Sequence, residues 1–345
     1  MSAARKIMFF AHDPGGANAI FPLIDACRAR HHEVCIYAGG PAKIKIRDAL
    51  DLCSEDVESV LHRLKPDFII TGTSANDFTE KFLWKTARNY DIPTMAVLDH
   101  WCNYGIRFSK YGLKDISSYD SAKSFDFLPS FIGVMDDFAK SEMQREGIPA
   151  DMIYPLGNPH FAALKNRSKD VIPEEIRSRF PQEKQMITFA SEPYEEDYGI
   201  APERKALADI VGVSEQTDDV FLVVKLHPKE SQDKYREFKN VFFDGETDAV
   251  DLIMASDMVI SMTSMLLIEA CILGKKSISY QPGAANKNKF ILTRNGVLPF
   301  LNNFEDLEEA INRLLNAPEM LYSFPVDFNA AENIVAFVEK KLCRS

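Results

Sequence analysis

Short apolar runs alternate with longer amphipathic segments along the whole sequence, and this pattern constrains the fold more than any other feature. Such alternation is the βα signature of a parallel sheet with helices on its faces. The predicted strands are Lys6–Ala11, Val34–Ala38, Asp67–Thr71, Thr94–Leu98, Phe131–Met135, Ile153–Leu156, Met186–Ala190, Val220–Lys225, Val241–Phe243, Met258–Ser261 and Ser277–Tyr280. The predicted helices are Ala17–Arg30, Ser54–Leu64, Asp77–Tyr90, Asp136–Glu146, Pro202–Val211, Ala249–Ala255, Ser264–Leu273, Phe304–Leu315 and Ala330–Leu342.

Two series of strands fit two domains, as do 345 residues at about 150 residues per domain. The turn at residues 157–159 interrupts the pattern after the first series. We predict an amino-terminal domain over 1–165, a polar linker over 166–184 and a carboxy-terminal domain over 185–322. Both are expected to be α/β domains with a doubly wound, Rossmann-like parallel sheet, and to face each other across a cleft.

The chain carries 40 basic and 51 acidic residues, a formal net charge of −11. An acidic protein lacks the positive field with which nucleic-acid binders capture phosphates, so we expect no nucleic-acid partner, although a local basic patch can hold a small nucleotide. No run of about 18 apolar residues is present, and Ile7–Ala11 is too short for a signal peptide. Six cysteines without a CxxC pair, among them Cys53, indicate a reducing compartment. We therefore expect a cytoplasmic protein.

Four segments follow predicted strands, where parallel α/β sheets bind their ligands. The first runs from His12 to Asn18 and reads HDPGGAN. Gly15 and Gly16 let the backbone approach a ligand closely, and Asp13 or His12 is placed to remove a proton from a hydroxyl. The alternative is a tight βα turn with Asp13 as a helix cap. The segment matches neither the GxGxxG fingerprint nor the P-loop.

In the second segment, residues 98–108, a strand ends in polar and aromatic residues: Asp99, His100, Trp101, Tyr104 and Arg107. Aromatic rings beside polar groups suit a sugar or a nucleoside. We therefore expect acceptor contacts here, with Asp99 as a further candidate base. The alternative is a packed tryptophan among ordinary loop residues.

In the third segment, residues 223–229, an apolar strand ends in Lys225, His227 and Lys229. An imidazole with lysines nearby can hold a phosphate oxygen and stabilise a phosphate leaving group. The alternative is a histidine with a purely structural role.

The fourth segment, residues 256–274, carries the most specific signal. A strand ends at Ser261, and Thr263 and Ser264 follow at the start of a helix. Hydroxyls and free N–H groups at a helix start bind phosphate well, and Glu269 lies in the second turn. The alternative is simple capping by Ser264, with Glu269 exposed to solvent. Because the sequence has no D-x-D triplet and no histidine pair at helical spacing, we expect neither a catalytic metal nor another cofactor.

The third and fourth segments, together with the GNPHF stretch at 157–161, resemble the donor half of GT-B glycosyltransferases. His227-Pro228 and Thr263-Ser264 are similar to the HP and S motifs of bacterial capsule polymerases, sialyl- and Kdo-transferases and CDP-glycerol transferases. The resemblance implies that the second domain binds a nucleotide-sugar and that Glu269 holds ribose hydroxyls. It also implies that a final helix at 330–343 packs back on the first domain.

On this resemblance we expect a metal-independent, inverting transfer of a sugar to a hydroxyl acceptor in surface polysaccharide or glycoconjugate synthesis. The donor is UDP-, CMP- or CDP-linked, and its phosphates are expected on Thr263, Ser264, His227 and Lys229. The acceptor proton goes to Asp13, His12 or Asp99. The acceptor is a saccharide or a lipid-linked sugar, which leaves peripheral membrane contact open.

Two other classes of function stay open. A nucleotide-sugar 2-epimerase or hydrolase shares the fold and the donor site but acts on a ring proton or uses water. A non-catalytic nucleotide-sugar binder or scaffold protein binds the ligand without turnover on any acceptor.

Overall fold

The computed structural model describes residues 4–46, 48–52, 57–217, 219–284, 290–318 and 326–343. The chain divides into two compact units, which are Met1–Ala163 with Val326–Ser345 (unit 1) and Leu164–Pro325 (unit 2). Each unit holds one sheet, and within the described residues every strand pair is parallel. The predicted end of the second domain at residue 322 lies outside the described residues.

The described strands and helices follow one another in a regular alternation. The strands are β1 (Lys6–Ala11), β2 (Glu33–Ala38), β3 (Leu50–Asp51), β4 (Phe68–Thr71), β5 (Thr94–Val97), β6 (Phe131–Val134), β7 (Ile153–Pro155), β8 (Gln185–Ala190), β9 (Val220–Lys225), β10 (Phe242–Asp244), β11 (Met258–Ser261), β12 (Lys276–Tyr280) and β13 (Phe300–Leu301). The helices are α1 (Pro14–Ala29), α2 (Ala42–Lys45), α3 (Val57–Leu64), α4 (Thr79–Asn89), α5 (Ile116–Ala122), α6 (Asp137–Glu146), α7 (Pro159–Arg167), α8 (Pro173–Arg177), α9 (Tyr194–Tyr198), α10 (Pro202–Ser214), α11 (Ala249–Ala255), α12 (Met265–Ile272), α13 (Ile291–Arg294), α14 (Phe304–Leu315) and α15 (Ala330–Leu342).

Strand β1 shows why unit 1 has a core on both faces of its sheet. Its side chains alternate, so that Ile7 and Phe9 pack with α1 and α15, whereas Met8 and Phe10 pack with α3 and α4. A strand that is buried on both faces reads as an unbroken apolar run, which is the pattern that predicted it. The strand order is β3-β2-β1-β4-β5-β6-β7. The chain adds β2 and β3 on one side of β1 and then continues from β4 on the other side, so the order of the strands, but not their direction, reverses between β1 and β4.

Strand β9 shows the same alternation in unit 2. Leu222 and Val224 pack with α10 and α14, whereas Phe221 and Val223 pack with α11. Residue Ile176, which lies in the segment predicted as a linker, packs into the cluster on the α11 side. The strand order is β10-β9-β8-β11-β12-β13. The chain adds β9 and β10 on one side of β8 and then continues from β11 on the other side, so the order of the strands reverses between β8 and β11.

The prediction of an α/β chain with two doubly wound parallel sheets is confirmed. Each predicted strand is observed within one residue of its predicted bounds, whereas β3 and β13, two residues each, were missed because so short a stretch carries no period. The predicted start of α3 at Ser54 lies outside the described residues, as does Cys53. None of the described helices combines the length and the apolar content that a membrane crossing requires.

Candidate functional site

In unit 1 the turn after β1 brings a carboxylate and an imidazole together. Asp13 occupies the N-cap position of α1 with an extended backbone (φ −92°, ψ 150°), yet its side chain caps no helix N–H group. Its Oδ1 lies 3.0 Å from His12 Nδ1, and Ser74 Oγ donates to its Oδ2 at 2.8 Å. His12 Nε2 lies 3.4 Å from Asp77 Oδ2. The alternative of Asp13 as a simple helix cap is therefore wrong, because the carboxylate bonds to groups outside its helix.

Helix α1 begins at Pro14, three residues before its predicted start, so Gly15 and Gly16 lie in its first turn. A Cβ on Gly15 would collide with the Asp99 carboxylate, and one on Gly16 would press on the backbone of Gly72 at 3.1 Å. Only glycine permits approaches this close. The glycine pair therefore draws the carboxyl ends of β1, β4 and β5 together.

A buried arginine neutralises the second candidate base of unit 1. Arg107 Nη1 donates to Asp99 Oδ1 at 2.9 Å and to Thr73 Oγ1 at 2.7 Å, and Arg107 is 9% exposed. Asp99 Oδ1 is therefore already occupied by a charge-assisted hydrogen bond. Asp13 bonds to the neutral hydroxyl of Ser74 and to an imidazole, so it is the better placed of the two to take a proton.

The titrating groups around His12 are strongly coupled. Burial lowers the pKa of His12, but the hydrogen bond to Asp13 and the charges of Asp77 and Asp13 outweigh it, and the pKa is raised. Glu80 is 1% exposed, and its Oε1 accepts a hydrogen bond from the backbone N–H of His12 at 3.0 Å. Burial, and after it the charge of Asp13, raises the pKa of Glu80 to about 8. Glu80 is therefore mainly protonated at neutral pH.

The aromatic residues expected on the acceptor side lie inside unit 1. The Trp101 ring, 3% exposed, stacks on Phe161 with centroids 6.0 Å apart, and its Nε1 donates to Asp136 Oδ2 at 2.8 Å. The Tyr104 hydroxyl, also in a residue 3% exposed, donates to Glu142 Oε2 at 3.3 Å. These contacts match the alternative of ordinary packing, and we assign neither ring a ligand contact.

His100, from the same segment, is coupled to Cys102. Burial lowers the pKa of His100, but Cys102 and Asp99 outweigh it and raise the pKa to about 9. The same contact lowers the pKa of the Cys102 thiol against the effect of burial.

In unit 2 a carboxylate contacts the predicted phosphate position. Glu192 follows β8, and its Oε2 accepts the Thr263 N–H at 2.7 Å while its Oε1 accepts the Thr263 hydroxyl at 2.6 Å. Ser261 Oγ donates to the Ala190 carbonyl at 2.7 Å and lies 3.3 Å from Oε2. The Tyr194 hydroxyl lies 3.0 Å from Thr263 Oγ1. The turn after β11 therefore holds an oxyanion, and this oxyanion belongs to the chain itself.

Ser264 and Glu269 differ in their surroundings. Ser264 is the N-cap of α12, and its hydroxyl accepts the Leu266 N–H at 3.2 Å, as the capping alternative states. Glu269 is 3% exposed, so the alternative of a solvent-exposed Glu269 is wrong. A carboxylate is kept at such a depth only when polar groups contact it.

The His227 ring is held in one orientation by its own loop. The Lys229 N–H donates to His227 Nδ1 at 3.2 Å, so a neutral imidazole carries its proton on Nε2. The backbone N–H of His227 donates to Glu230 Oε2 at 3.0 Å, and Ser191 Oγ donates to Glu230 Oε1, also at 3.0 Å. His227 therefore presents Nε2 as a hydrogen-bond donor, which suits an anionic leaving group.

The two lysines of this segment already have partners. Lys229 Nζ lies 3.1 Å from Asp197 Oδ1, and Lys225 Nζ donates to the Thr247 carbonyl at 2.5 Å. The Lys229 ammonium has three N–H groups, so a phosphate can bind it beside Asp197.

Within the described residues, one group of carboxylates has the spacing of metal ligands, namely Glu196, Glu203 and Glu230, with atoms within 4.8 Å of one another. Lys234 Nζ lies among them, 2.5 Å from Glu203, 3.0 Å from Glu230 and 3.1 Å from Glu196. Burial lowers the pKa of Lys234, but these carboxylates outweigh it and raise the pKa. Burial also raises the pKa of Glu203 despite the adjacent ammonium. The ammonium supplies the positive charge here, and the network anchors Glu230 and through it the His227 loop.

Sheet order decides which candidates meet. Strand β8 lies between β9 and β11, so the loops of His227 and Thr263 flank its end, about 10 Å apart at about 4.8 Å per strand. In unit 1 the turn after β1 meets the ends of β4 and β5. Both groups lie beside the reversal of strand order, which we call the switch point, and open α/β sheets bind ligands there.

Sequence analysis missed several residues of these sites. Ser74 and Glu192 follow β4 and β8, so a scan of every strand end would have found them. Glu80 and Glu230 carry no such signal, because a glutamate in the first turn of a helix or in a loop is usually solvated.

Comparison with solved structures shows the fold. The UDP-GlcNAc 2-epimerase of Methanocaldococcus jannaschii in complex with UDP-GlcNAc and UDP matches with a TM-score of 0.71 and 16% identity, over 97% of this chain and 99% of that chain. The Neisseria meningitidis UDP-GlcNAc 2-epimerase bound to UDP-GlcNAc gives 0.68 and 16%, over 97% and 100%. The wall teichoic acid polymerase TagF soaked with CDPG gives 0.60 and 13%, over 99% and 89%. The chain therefore has two Rossmann-like units of the GT-B fold, as predicted.

Sequence comparison reaches less far. A family model described as "Protein of unknown function (DUF354)" matches residues 153–320, just under half of the chain. No curated protein matches the sequence significantly. The finer resemblance to transferases with HP and S motifs stays a prediction.

Proposed function

We propose that the chain binds a nucleotide-sugar at the switch point of unit 2 and transfers the sugar to a hydroxyl acceptor, without a metal and with inversion. The observation that carries the proposal is the carboxylate of Glu192, which the Thr263 N–H and hydroxyl hold after β11. The His227 Nε2 donor lies on the loop after β9, and one strand, β8, separates β9 from β11. A phosphate oxygen is a hydrogen-bond acceptor of the same kind as this carboxylate oxygen. The fold supports the proposal, because similar structures hold UDP-GlcNAc, UDP or CDPG.

The donor is assigned to unit 2. Its phosphates rest on Thr263 and Ser264 at the start of α12, where N–H groups and the helix dipole favour negative charge. Glu269 takes the ribose hydroxyls, and Lys229 joins the phosphates through an N–H group that its contact with Asp197 does not use. His227 Nε2 donates to the phosphate oxygen on which charge develops as the bond to the sugar breaks.

The acceptor proton is assigned to Asp13 of unit 1. The acceptor oxygen bonds to the anomeric carbon while the bond from that carbon to the phosphate oxygen breaks, and the hydroxyl proton passes to the Asp13 carboxylate. His12 and Ser74 orient that carboxylate. Asp99 is neutralised by Arg107 and serves to position the acceptor. A lipid-linked acceptor would bring the chain into peripheral contact with a membrane.

A nucleotide panel tests the donor site. Thermal unfolding of the full chain is measured with UDP, CMP, CDP, GDP and dTDP, and one of them should raise the melting temperature most clearly. If no nucleotide shifts the melting temperature, the proposal fails.

Replacing His227 by Ala tests its role in catalysis. Loss of the Nε2 donor should lower turnover about a hundredfold or more, while the melting temperature changes little. The control is His62→Ala, which alters an exposed histidine of α3. Parallel losses of stability and turnover in His227→Ala would show a purely structural role.

A nucleotide-sugar 2-epimerase is the second candidate, favoured by the higher TM-score to the epimerases than to TagF. Proton NMR of UDP-GlcNAc incubated with the chain and no acceptor separates the two. New signals of an intact epimeric nucleotide-sugar would replace the transferase assignment. Release of nucleotide that depends on an added acceptor supports the transferase.

A further inference from the structure

Glu192 occupies the oxyanion position of unit 2, where Thr263 holds it with two hydrogen bonds. One comes from the backbone N–H of Thr263 and the other from its hydroxyl. The two oxygens of the carboxylate are thus both used, and the bonds at 2.6 and 2.7 Å have the short lengths of charge-assisted hydrogen bonds.

A phosphate cannot join this arrangement as it stands. The Thr263 N–H and hydroxyl each have one proton to donate, and both already point at Glu192. A phosphate oxygen that came to the same donors would also lie against a second negative charge. Glu192 is half-buried, so its side chain has solvent into which it can turn.

We propose that Glu192 is a displaceable internal ligand of this anion site, and that it lowers the affinity for every anion by the same factor, so that free phosphate or pyrophosphate falls below the affinity needed to occupy the site. The inference rests on the proposed function. Every anion has to displace the same carboxylate, at the same cost in free energy. A nucleotide offsets this cost with the contacts of its ribose and base, for which the buried Glu269 is one partner. Inorganic pyrophosphate has the charge but none of those contacts, and is excluded.

Isothermal titration of the full chain with UDP, CDP and pyrophosphate tests the proposal. Glu192→Gln removes the charge and keeps the size of the side chain, so pyrophosphate should bind at least about tenfold more tightly to this variant than to the wild type. The nucleotide that binds the wild type should gain by a similar factor. The control is Glu195→Gln, which makes the same change of net charge three residues further on, in a side chain that is 53% exposed. It should change each affinity by less than about twofold.

Two failures can be told apart. If a nucleotide binds the wild type but Glu192→Gln binds pyrophosphate no better, Glu192 is a fixed structural residue, and only the inference is overturned. If none of UDP, CMP, CDP, GDP and dTDP binds any of the proteins, the proposed function fails and the inference with it. Glu192→Ala repeats the test should the Gln variant not fold, with the same expected gain.

Discussion

Replacing Glu80 by Gln tests whether unit 1 contains a protonated carboxyl group beside its candidate base. Glu80 Oε1 accepts a hydrogen bond from the backbone N–H of His12 at 3.0 Å, and Glu80 Oε2 has no hydrogen-bond partner among the described residues. Burial, and after it the charge of Asp13, raises the pKa to about 8. A glutamine has nearly the shape of a protonated glutamic acid and cannot ionise. The substitution therefore retains the packing and removes the titration.

The sign of the effect follows from proton binding. Below the ordinary pKa of 4.5, Glu80 is protonated in the folded and the unfolded chain alike. Between 4.5 and about 8 the folded chain keeps a proton that the unfolded chain has released, so a rise in pH favours unfolding by up to about 1.4 kcal/mol per pH unit. From about pH 5.5 to about pH 7.5 the wild type should thus lose about 2–3 kcal/mol relative to Glu80→Gln. Above the folded-state pKa the loss is complete.

Urea unfolding followed by tryptophan fluorescence measures this loss of stability in unit 1, to which Glu80 belongs, because both tryptophans of the chain, Trp84 and Trp101, are buried there. The control is Glu332→Gln, since Glu332 also lies in the first turn of a unit 1 helix but is exposed. Its pH slope should equal that of the wild type. The same slope in Glu80→Gln would refute the reasoning.

Two further substitutions test the packing of the sites. Gly15→Ala places a Cβ against the Asp99 carboxylate and should lower the free energy of unfolding of unit 1 by about 1–3 kcal/mol, whereas Gly212→Ala in α10 of unit 2 meets only an ordinary contact and serves as the control, with urea unfolding of both variants followed by circular dichroism. Lys234→Met leaves the buried carboxylates of Glu203 and Glu230 without their ammonium and should destabilise unit 2 by about 3–5 kcal/mol, measured by circular dichroism. An unchanged unfolding curve in either variant would contradict the contact on which it rests.

The sheets could be predicted from the sequence because most of their strands are buried on both faces. Strand β1 is apolar from Ile7 to Ala11, and such a run between polar segments has few other interpretations. The start of α1 was placed three residues too late, since Pro14, Gly15 and Gly16 read as a turn. Proline suits the first turn of a helix, where its missing N–H has no partner to lose. Gly15 allows the Asp99 carboxylate, and Gly16 the backbone of Gly72, to approach the helix closely, and these contacts are visible only in the folded chain.

The candidate sites could be predicted only as far as the residues that follow a strand. Their partners depend on strand order, which periodicity does not contain. Because β1 adjoins β4, Ser74 meets Asp13, and because β8 adjoins β11, Glu192 meets Thr263. Each switch point thus holds a carboxylate that bonds to a neighbouring strand end, but the donors differ. In unit 1 they are a neutral hydroxyl and an imidazole, which leave the carboxylate able to take a proton. In unit 2 a backbone N–H and a hydroxyl hold it at the start of a helix, where an anion is stabilised as a charge. On the proposed function, the neighbouring strand therefore determines whether the acidic residue at a switch point serves as a base or occupies the place of a ligand.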